Sequence, residues 1–332
     1  SDYNERTRLM AFSQTIGQIA WMIVPWFWVI IADPEIFETQ AIGVRKLSII
    51  VGAVCIVLGV LPAFFCKGID SANMENRKEI NFKSLFSNLK DLFIGIAQVS
   101  KNKPFMKLCG ATFLVFNGFQ MVAAFSVYII VFYMYNGSYA DAGTWPAWFS
   151  TVTAIVTAFG VIPVVTWMAN KWGKRRAFIY STALSIVGYI LKWWGFDPEN
   201  VWLIFMPIPF MAFGLGGLFT LMMSMTADVC DLDELRNGMP RKEGTFGAIY
   251  WWMVKLGQAL ALVLGGLVLK LVGFDGNAAQ QTAETMTSLR IADVVIPAVT
   301  AGLAILVMWK YGLNEARAKE IKVELVKRRG EL

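Results

Sequence analysis

Long apolar stretches alternate with polar connections along the whole chain. Eight stand out, at residues 9–32, 47–66, 108–135, 145–169, 177–195, 201–227, 245–273 and 291–312. A run of ~20 apolar residues rising 1.5 Å per residue crosses a ~30 Å hydrocarbon layer. In lipid a single segment satisfies its own backbone groups only as a helix. The pattern therefore predicts an all-α integral membrane protein with eight transmembrane helices in a lipid bilayer. Pro25, Pro62, Pro163, Pro207, Pro209 and Pro297 lie inside these stretches, as polytopic helices allow when neighbours satisfy the freed carbonyls.

One connection, 67–104, is much longer than the others. In it Leu85, Phe86, Leu89, Leu92, Phe93 and Ile96 recur at helical spacing beside Lys83, Lys90 and Asp91. That spacing predicts an amphipathic helix, lying on the membrane surface or packed under the bundle. The connection leaves two spans before it and six after it. Such an arrangement makes sense if four further spans precede Ser1, giving two six-helix halves, the layout of the major facilitator transporters. The expected division is 1–66 for the last two helices of an N-terminal half, 67–104 for the middle loop, 105–312 for the C-terminal half and 313–332 for a tail.

Composition agrees with this picture. Of 332 residues 56% are hydrophobic and only 16% charged, with a mean hydropathy of +0.53, where a soluble domain carries about 25% charged residues. The net charge of +6 is not a nucleic-acid footprint. Lys and Arg concentrate in the N-terminal segment, the connections 67–104, 170–176 and 228–244, and the tail, while the alternate connections hold only Arg45, Lys46, Lys270 and Arg290. By the positive-inside rule both ends of the chain are expected in the cytoplasm, in a multi-pass protein of a bacterial inner (plasma) membrane. Histidine is absent, which removes the commonest acid–base residue and weakens every enzyme reading. Cys55, Cys66, Cys109 and Cys230 have no metal-ligand spacing, so no metal site is expected.

A few polar positions do not suit a lipid-spanning helix. Lys255 lies about ten residues into its span, ~15 Å deep, where a lysine costs about 2.5–3.5 kcal/mol. Trp251, Lys255 and Gln258 share one helix face, an aromatic plane beside hydrogen-bonding groups. Lys107, Lys192 and Lys270 are close enough to span ends to snorkel, and Asp33 and Asp293 are expected at the outer interfaces. Lys255 then has no carboxylate partner within the spans, so it lines a hydrophilic pathway or pairs outside this chain. Gln14 and Gln18, with Asn117 and Gln120, suit either a polar interior or interhelical bonds. Gly214, Gly216 and Gly217 read as helix packing. Asp228, Asp231 and Glu234 follow one another on a helix C-terminal end, where negative charge opposes the macrodipole. They need cations, with Lys171, Lys174, Arg175, Arg176, Arg236, Arg241 and Lys242 as candidates. A salt-bridge latch is the favoured reading, with a solvated loop as the alternative.

The run from Ala227-Asp-Val-Cys-Asp231 through Gly238, Arg241 and Glu243-Gly244 into Lys255-Leu-Gly257 resembles the glycoside–pentoside–hexuronide:cation symporters, the melibiose-permease type of major facilitator. Glu5-Arg-Thr-Arg-Leu9, Gly173-Lys-Arg-Arg176 and Tyr311-Gly-Leu-Asn-Glu315 agree with it. The resemblance implies cation-coupled symport of a sugar, glycoside or hexuronide by a functional monomer, with no enzymatic step. It implies Na⁺ or H⁺ as the coupling ion, with the cation-site carboxylates on helices outside this chain and no cofactor. Lys255, Trp251, Tyr250, Val254 and Phe219 would then line the substrate site, together with Gln14 and Gln18. Asp228, Asp231, Glu234, Arg241, Arg175 and Arg176 would form the cytoplasmic gate. Gln14 stands where better-known members carry an arginine, and Tyr250 and Trp251 replace smaller polar residues. These departures leave the substrate open between another glycoside, a uronide and a non-sugar solute such as an organic anion or a lysolipid. A membrane-bound sensor that transports nothing is the remaining alternative.

Overall fold

The computed structural model describes residues 3–65, 85–238 and 242–329, and among them every regular element is helical. Cys66 and Arg241 lie outside the described residues. Among the described residues, seven continuous helical runs are long and apolar enough to cross a membrane. They are formed by α1 (Tyr3–Ala32), α2 (Gln40–Phe65), α4 (Lys103–Tyr128), α6 (Trp145–Ile155) continuing into α7 (Ile162–Trp172), α9 (Ile208–Asn237), α10 (Glu243–Leu271) and α11 (Ala283–Trp309). The eighth expected stretch is α8 (Lys174–Gly195), a full-length helix that falls outside those seven. It buries Ser181, Thr182, Ser185 and Lys192, which a helix can keep on the side that packs against other helices and not against lipid. α3 (Leu85–Ser100) forms where the long connection shows helical spacing, and α5 (Tyr139–Ala142) and α12 (Glu315–Arg329) complete the order.

Two elements overrun their apolar stretches. α1 starts at Tyr3 and α9 continues to Asn237, so both carry their charged residues on helical backbone. Hydropathy marks where lipid contact stops, whereas the helix continues as long as its main-chain bonds and side-chain partners hold.

The contacts define two compact units, Ser1–Met22 with Gly95–Leu332, and Ile23–Ile94. In the smaller unit the amides of Ile36 and Phe37 donate to the Asp33 carbonyl and tighten the turn before α2. Gly43 allows α2 to approach, since a Cβ there would meet Phe37 at 2.8 Å and the Ile31 backbone at 3.4 Å. α2 is apolar on all sides and almost wholly exposed, the signature of a helix whose solvent is lipid.

In the larger unit α8 packs along α9 and α11, and α4 along α10 and α11. Small residues set these distances, as interhelical packing in membranes requires. Gly214 and Gly217 face Ser185 and Ser181, and Gly216 faces Val161 and Thr157, so the glycine cluster is packing. Among the helical glycines described, Gly188 is the tightest, because a Cβ there would lie 2.2 Å from the Met211 backbone nitrogen. Gly188→Ala is expected to cost about 3 kcal/mol, the upper end for overpacking, read as a lowered thermal midpoint in detergent. An unchanged midpoint would mean that α8 and α9 do not meet here.

A π turn, Val156–Val161, joins α6 to α7 just before Pro163. Proline supplies no N–H and its ring crowds the preceding turn, and a widened turn is one way to absorb that. The Thr157 hydroxyl donates to the Thr153 carbonyl at 2.7 Å in this segment.

Candidate functional site

The cluster Asp228, Asp231 and Glu234 is buried at the end of α9. The Arg6 guanidinium of α1 reaches it: Nη1 donates to Asp231 Oδ2 at 2.5 Å and lies 3.5 Å from Asp228 Oδ1. Lys174, at the start of α8 and itself buried, donates to Asp228 Oδ2 at 2.7 Å. Thr7, next to Arg6, and Ser224, one helical turn before Asp228, share a hydroxyl hydrogen bond at 3.1 Å. Two cations thus meet two acids one helical turn apart, where the helix end disfavours negative charge. Lys174 was among the cations the sequence offered. Arg6 was not, since 225 positions separate it from Asp231.

The other basic candidates lie elsewhere. Arg175 donates to the Trp309 carbonyl, Lys242 to the Gln98 side chain at 2.5 Å, Arg176 and Arg236 are exposed, and the Lys171 ammonium lies 5.0 Å over the Trp167 ring.

Helical periodicity sorts the α10 positions. Tyr250, Val254, Gly257 and Ala261 form a buried stripe toward the core, where the Asn117 amide donates to the Gly257 carbonyl at 3.1 Å. Trp251, Lys255 and Gln258 form the next stripe, with Trp251 and Lys255 exposed. The Lys255 ammonium approaches the Gln258 carbonyl oxygen at 3.4 Å. Tyr250 and Val254 therefore back the α10 surface and do not share the open face with Lys255.

Trp251 stacks on Phe219 of α9, with centroids 5.9 Å apart and planes 20° from parallel. Phe219 meets Phe116 of α4 edge-on at 5.7 Å, and Phe116 neighbours Phe119 at 6.5 Å. Phe119 in turn lines a cavity of about 130 Å³. Gln18, Gln120, Ser126, Ser150, Thr153 and Thr157 give this cavity polar walls. Gln18 is buried there, and Gln14, one turn earlier on α1, is half-buried.

The sequence missed one site entirely. Lys192 and Asp293, expected at the membrane interfaces, are both wholly buried and form an ion pair between α8 and α11 at 2.5 Å. Lys192 Nζ also donates to Ser126 Oγ at 3.1 Å and sits 5.1 Å from the Phe196 ring centroid. Asp293 Oδ1 has no hydrogen-bond partner among the described residues. Nearby, Arg290 donates to the Trp193 carbonyl and lies over the Tyr133 ring at 4.1 Å. The correction has a physical cause. Distance from a span end measures depth only when a side chain faces lipid, and these two face each other. Charge of opposite sign on two apolar segments was the available signal.

Residues 1–315 match the family described as MFS/sugar transport protein. The glucuronide carrier protein homolog of Escherichia coli K12 is 27% identical over 265 residues, covering 75% of this chain and 54% of its own. A Salmonella typhimurium protein named for sulfoquinovose import is 26% identical over 335 residues, covering 98% of this chain and 64% of its own. A further E. coli relative, YagG, named for glycoside/cation symport, is 30% identical over 105 residues, covering 32% of this chain and 23% of its own. The chain spans between about half and two-thirds of the length of the first of these relatives.

Proposed function

We infer that this chain, which belongs to the MFS/sugar transport protein family, serves secondary active transport: cation-coupled symport of a sugar derivative by alternating access. The observation that carries this reading is the buried Arg6–Asp231–Asp228–Lys174 network. It fastens the first helix to the charged end of α9 through contacts that can part, as a latch between moving bundles requires. By the positive-inside rule this end is cytoplasmic, in a bacterial inner membrane. The network then holds the inner side shut while the substrate site faces outward.

The substrate site is read as the Lys255 face of α10 with Trp251 and Phe219. A pyranose lays its C–H face on an aromatic plane, and an ammonium receives an acid group. Lysine in a span is expensive unless it lines a watery path or meets a counter-charge. The relatives named for glucuronide and sulfoquinovose handle acidic sugars by those names, so an acidic sugar is the favoured substrate. Na⁺ or H⁺ is the coupling ion, bound by carboxylates outside this chain.

The test uses membrane vesicles bearing the complete reading frame that carries this chain. Labelled hexuronides, sulfonated sugars and neutral glycosides are offered under separately imposed Na⁺ and H⁺ gradients. Accumulation of an acidic sugar driven by one gradient is expected. Normal insertion with no uptake of any sugar would overturn the reading. Arg6→Gln is expected to lower that uptake at least about tenfold, as loss of one charge-assisted contact allows. Wild-type uptake by this variant would remove the latch from the mechanism.

A further inference from the structure

The latch uses Lys174 and leaves its two neighbours over. A cavity of about 540 Å³ lies between the start of α8, the charged end of α9 and the start of α12. Its walls carry Lys174, Arg175, Arg176 and Lys319 against Asp228 and Glu315. Both carboxylates already have cations, Asp228 at 2.7 Å from Lys174 and Glu315 at 2.8 Å from Lys319. Arg175 and Arg176 have no carboxylate within ion-pair distance among the described residues. Arg175 donates to the Trp309 carbonyl, and its Nε is buried with no hydrogen-bond partner there. The wall therefore carries an excess of two positive charges.

A second feature adjoins the first. An apolar groove of about 770 Å³ shares Trp172 and Arg176 with the cavity and continues over Trp167, Tyr180, Leu184 and Val187. From Arg176 to Val187 it follows α8 for about 16 Å at the helical rise, a span comparable to an acyl chain. Trp172 meets Trp167 edge-on at 5.3 Å and Tyr180 at 5.5 Å. Tryptophan, tyrosine and basic residues gathered at a span end mark the headgroup level of a bilayer.

We propose that cavity and groove together form a binding site for an anionic phospholipid. Its phosphate is held by Arg175 and Arg176, and an acyl chain lies along α8. Basic pockets between membrane helices suit such headgroups, and paired guanidinium forks match phosphate oxygens. The groove decides against a soluble phosphate ester, which would fill the cavity and leave the apolar part uncovered. Lys174 belongs to this cavity wall and also holds Asp228, so the lipid headgroup lies next to the inner charge network. The site stands whatever solute the protein carries.

The complete protein, purified in detergent, is equilibrated with mixed micelles of phosphatidylcholine and phosphatidylglycerol, and retained lipid is counted by native mass spectrometry. Wild type is expected to retain phosphatidylglycerol selectively. Arg175→Gln with Arg176→Gln is expected to cut that selectivity about fivefold per arginine, while Arg175→Lys with Arg176→Lys keeps the charge but not the forks and retains part of it. If the glutamine variant does not fold, the wild-type competition decides: millimolar glycerol 3-phosphate is expected to leave the lipid bound. Displacement by glycerol 3-phosphate would make the cavity a site for a soluble phosphate ester and overturn the proposal. Equal retention of both lipids by wild type would do so too. So would an equal loss on Lys327→Gln, an exposed α12 position outside the cavity, because the attraction would then be diffuse surface charge.

Discussion

Replacing Lys192 by methionine is expected to remove about 3–5 kcal/mol of stability, the cost of stranding one member of a buried ion pair. The side chains of Lys192 and Asp293 are 0% and 1% exposed, so no solvent can take over the freed carboxylate. Ser126 loses its donor at the same time, and Asp293 Oδ1 is already without a partner. The reverse change, Asp293→Leu alone, strands the ammonium and is expected to cost a similar amount. Lys192→Met with Asp293→Leu is expected to regain most of the loss, because well-packed apolar groups commonly replace a buried pair at little cost. With the exposed Cys55, and Cys66, replaced by serine, the buried thiols Cys109 and Cys230 report unfolding, since a thiol-reactive dye reaches them only when α4 and α9 open. If the Lys192→Met thiols stay protected to the wild-type temperature, the two charges do not hold α8 to α11.

Lys255→Ala is expected to reduce gradient-driven uptake of an acidic sugar about 10- to 100-fold, the worth of one charge-assisted contact to a substrate anion. Its stability is expected to be unchanged, because Lys255 is exposed and its polar contact among the described residues is a weak 3.4 Å approach to Gln258. That combination separates Lys255 from Lys192, whose loss is structural. Lys255→Arg is expected to retain part of the activity, keeping the charge but presenting a planar fork in place of a compact ammonium. If Lys255 meets the acid group, a neutral glycoside carried by the same protein should lose far less than the acidic one. An equal loss for both would assign Lys255 to the coupling step and not to recognition. Wild-type uptake of both would leave it a tolerated lysine.

Much of the candidate site was legible because it follows from periodicity. The face shared by Trp251, Lys255 and Gln258 and the glycines that read as packing follow from 3.6 residues per turn and close helix approach. Asn117, by contrast, suits either a polar interior or an interhelical bond by sequence, and only its amide on the Gly257 carbonyl decides for the bond. The acids Asp228 and Asp231 were marked by their position at a helix end. Their partner Arg6 carried no such mark, since nothing in a linear pattern ties a residue to another 225 positions away. Phe219 was named with Trp251 through family resemblance alone, and their stack, which joins two helices, is visible only in the structure. Tyr250 and Val254, named through the same resemblance, face the core, because neighbours in sequence are about 100° apart on a helix and here fall on a different side from Trp251 and Lys255.

The sequence by itself determined that this chain is helical, that it lives in lipid and which end is basic, because each of these is a sum over many residues. Apolar length, backbone self-satisfaction and charge bias do not depend on which helix sits beside which. Only the tertiary structure decided which charges are paired. Lys192 with Asp293, Arg6 with Asp231 and Lys174 with Asp228 are choices among many cations and acids of equal local merit. The free energy of each comes from desolvation and distances of a few ångströms, quantities that exist only once the helices have packed.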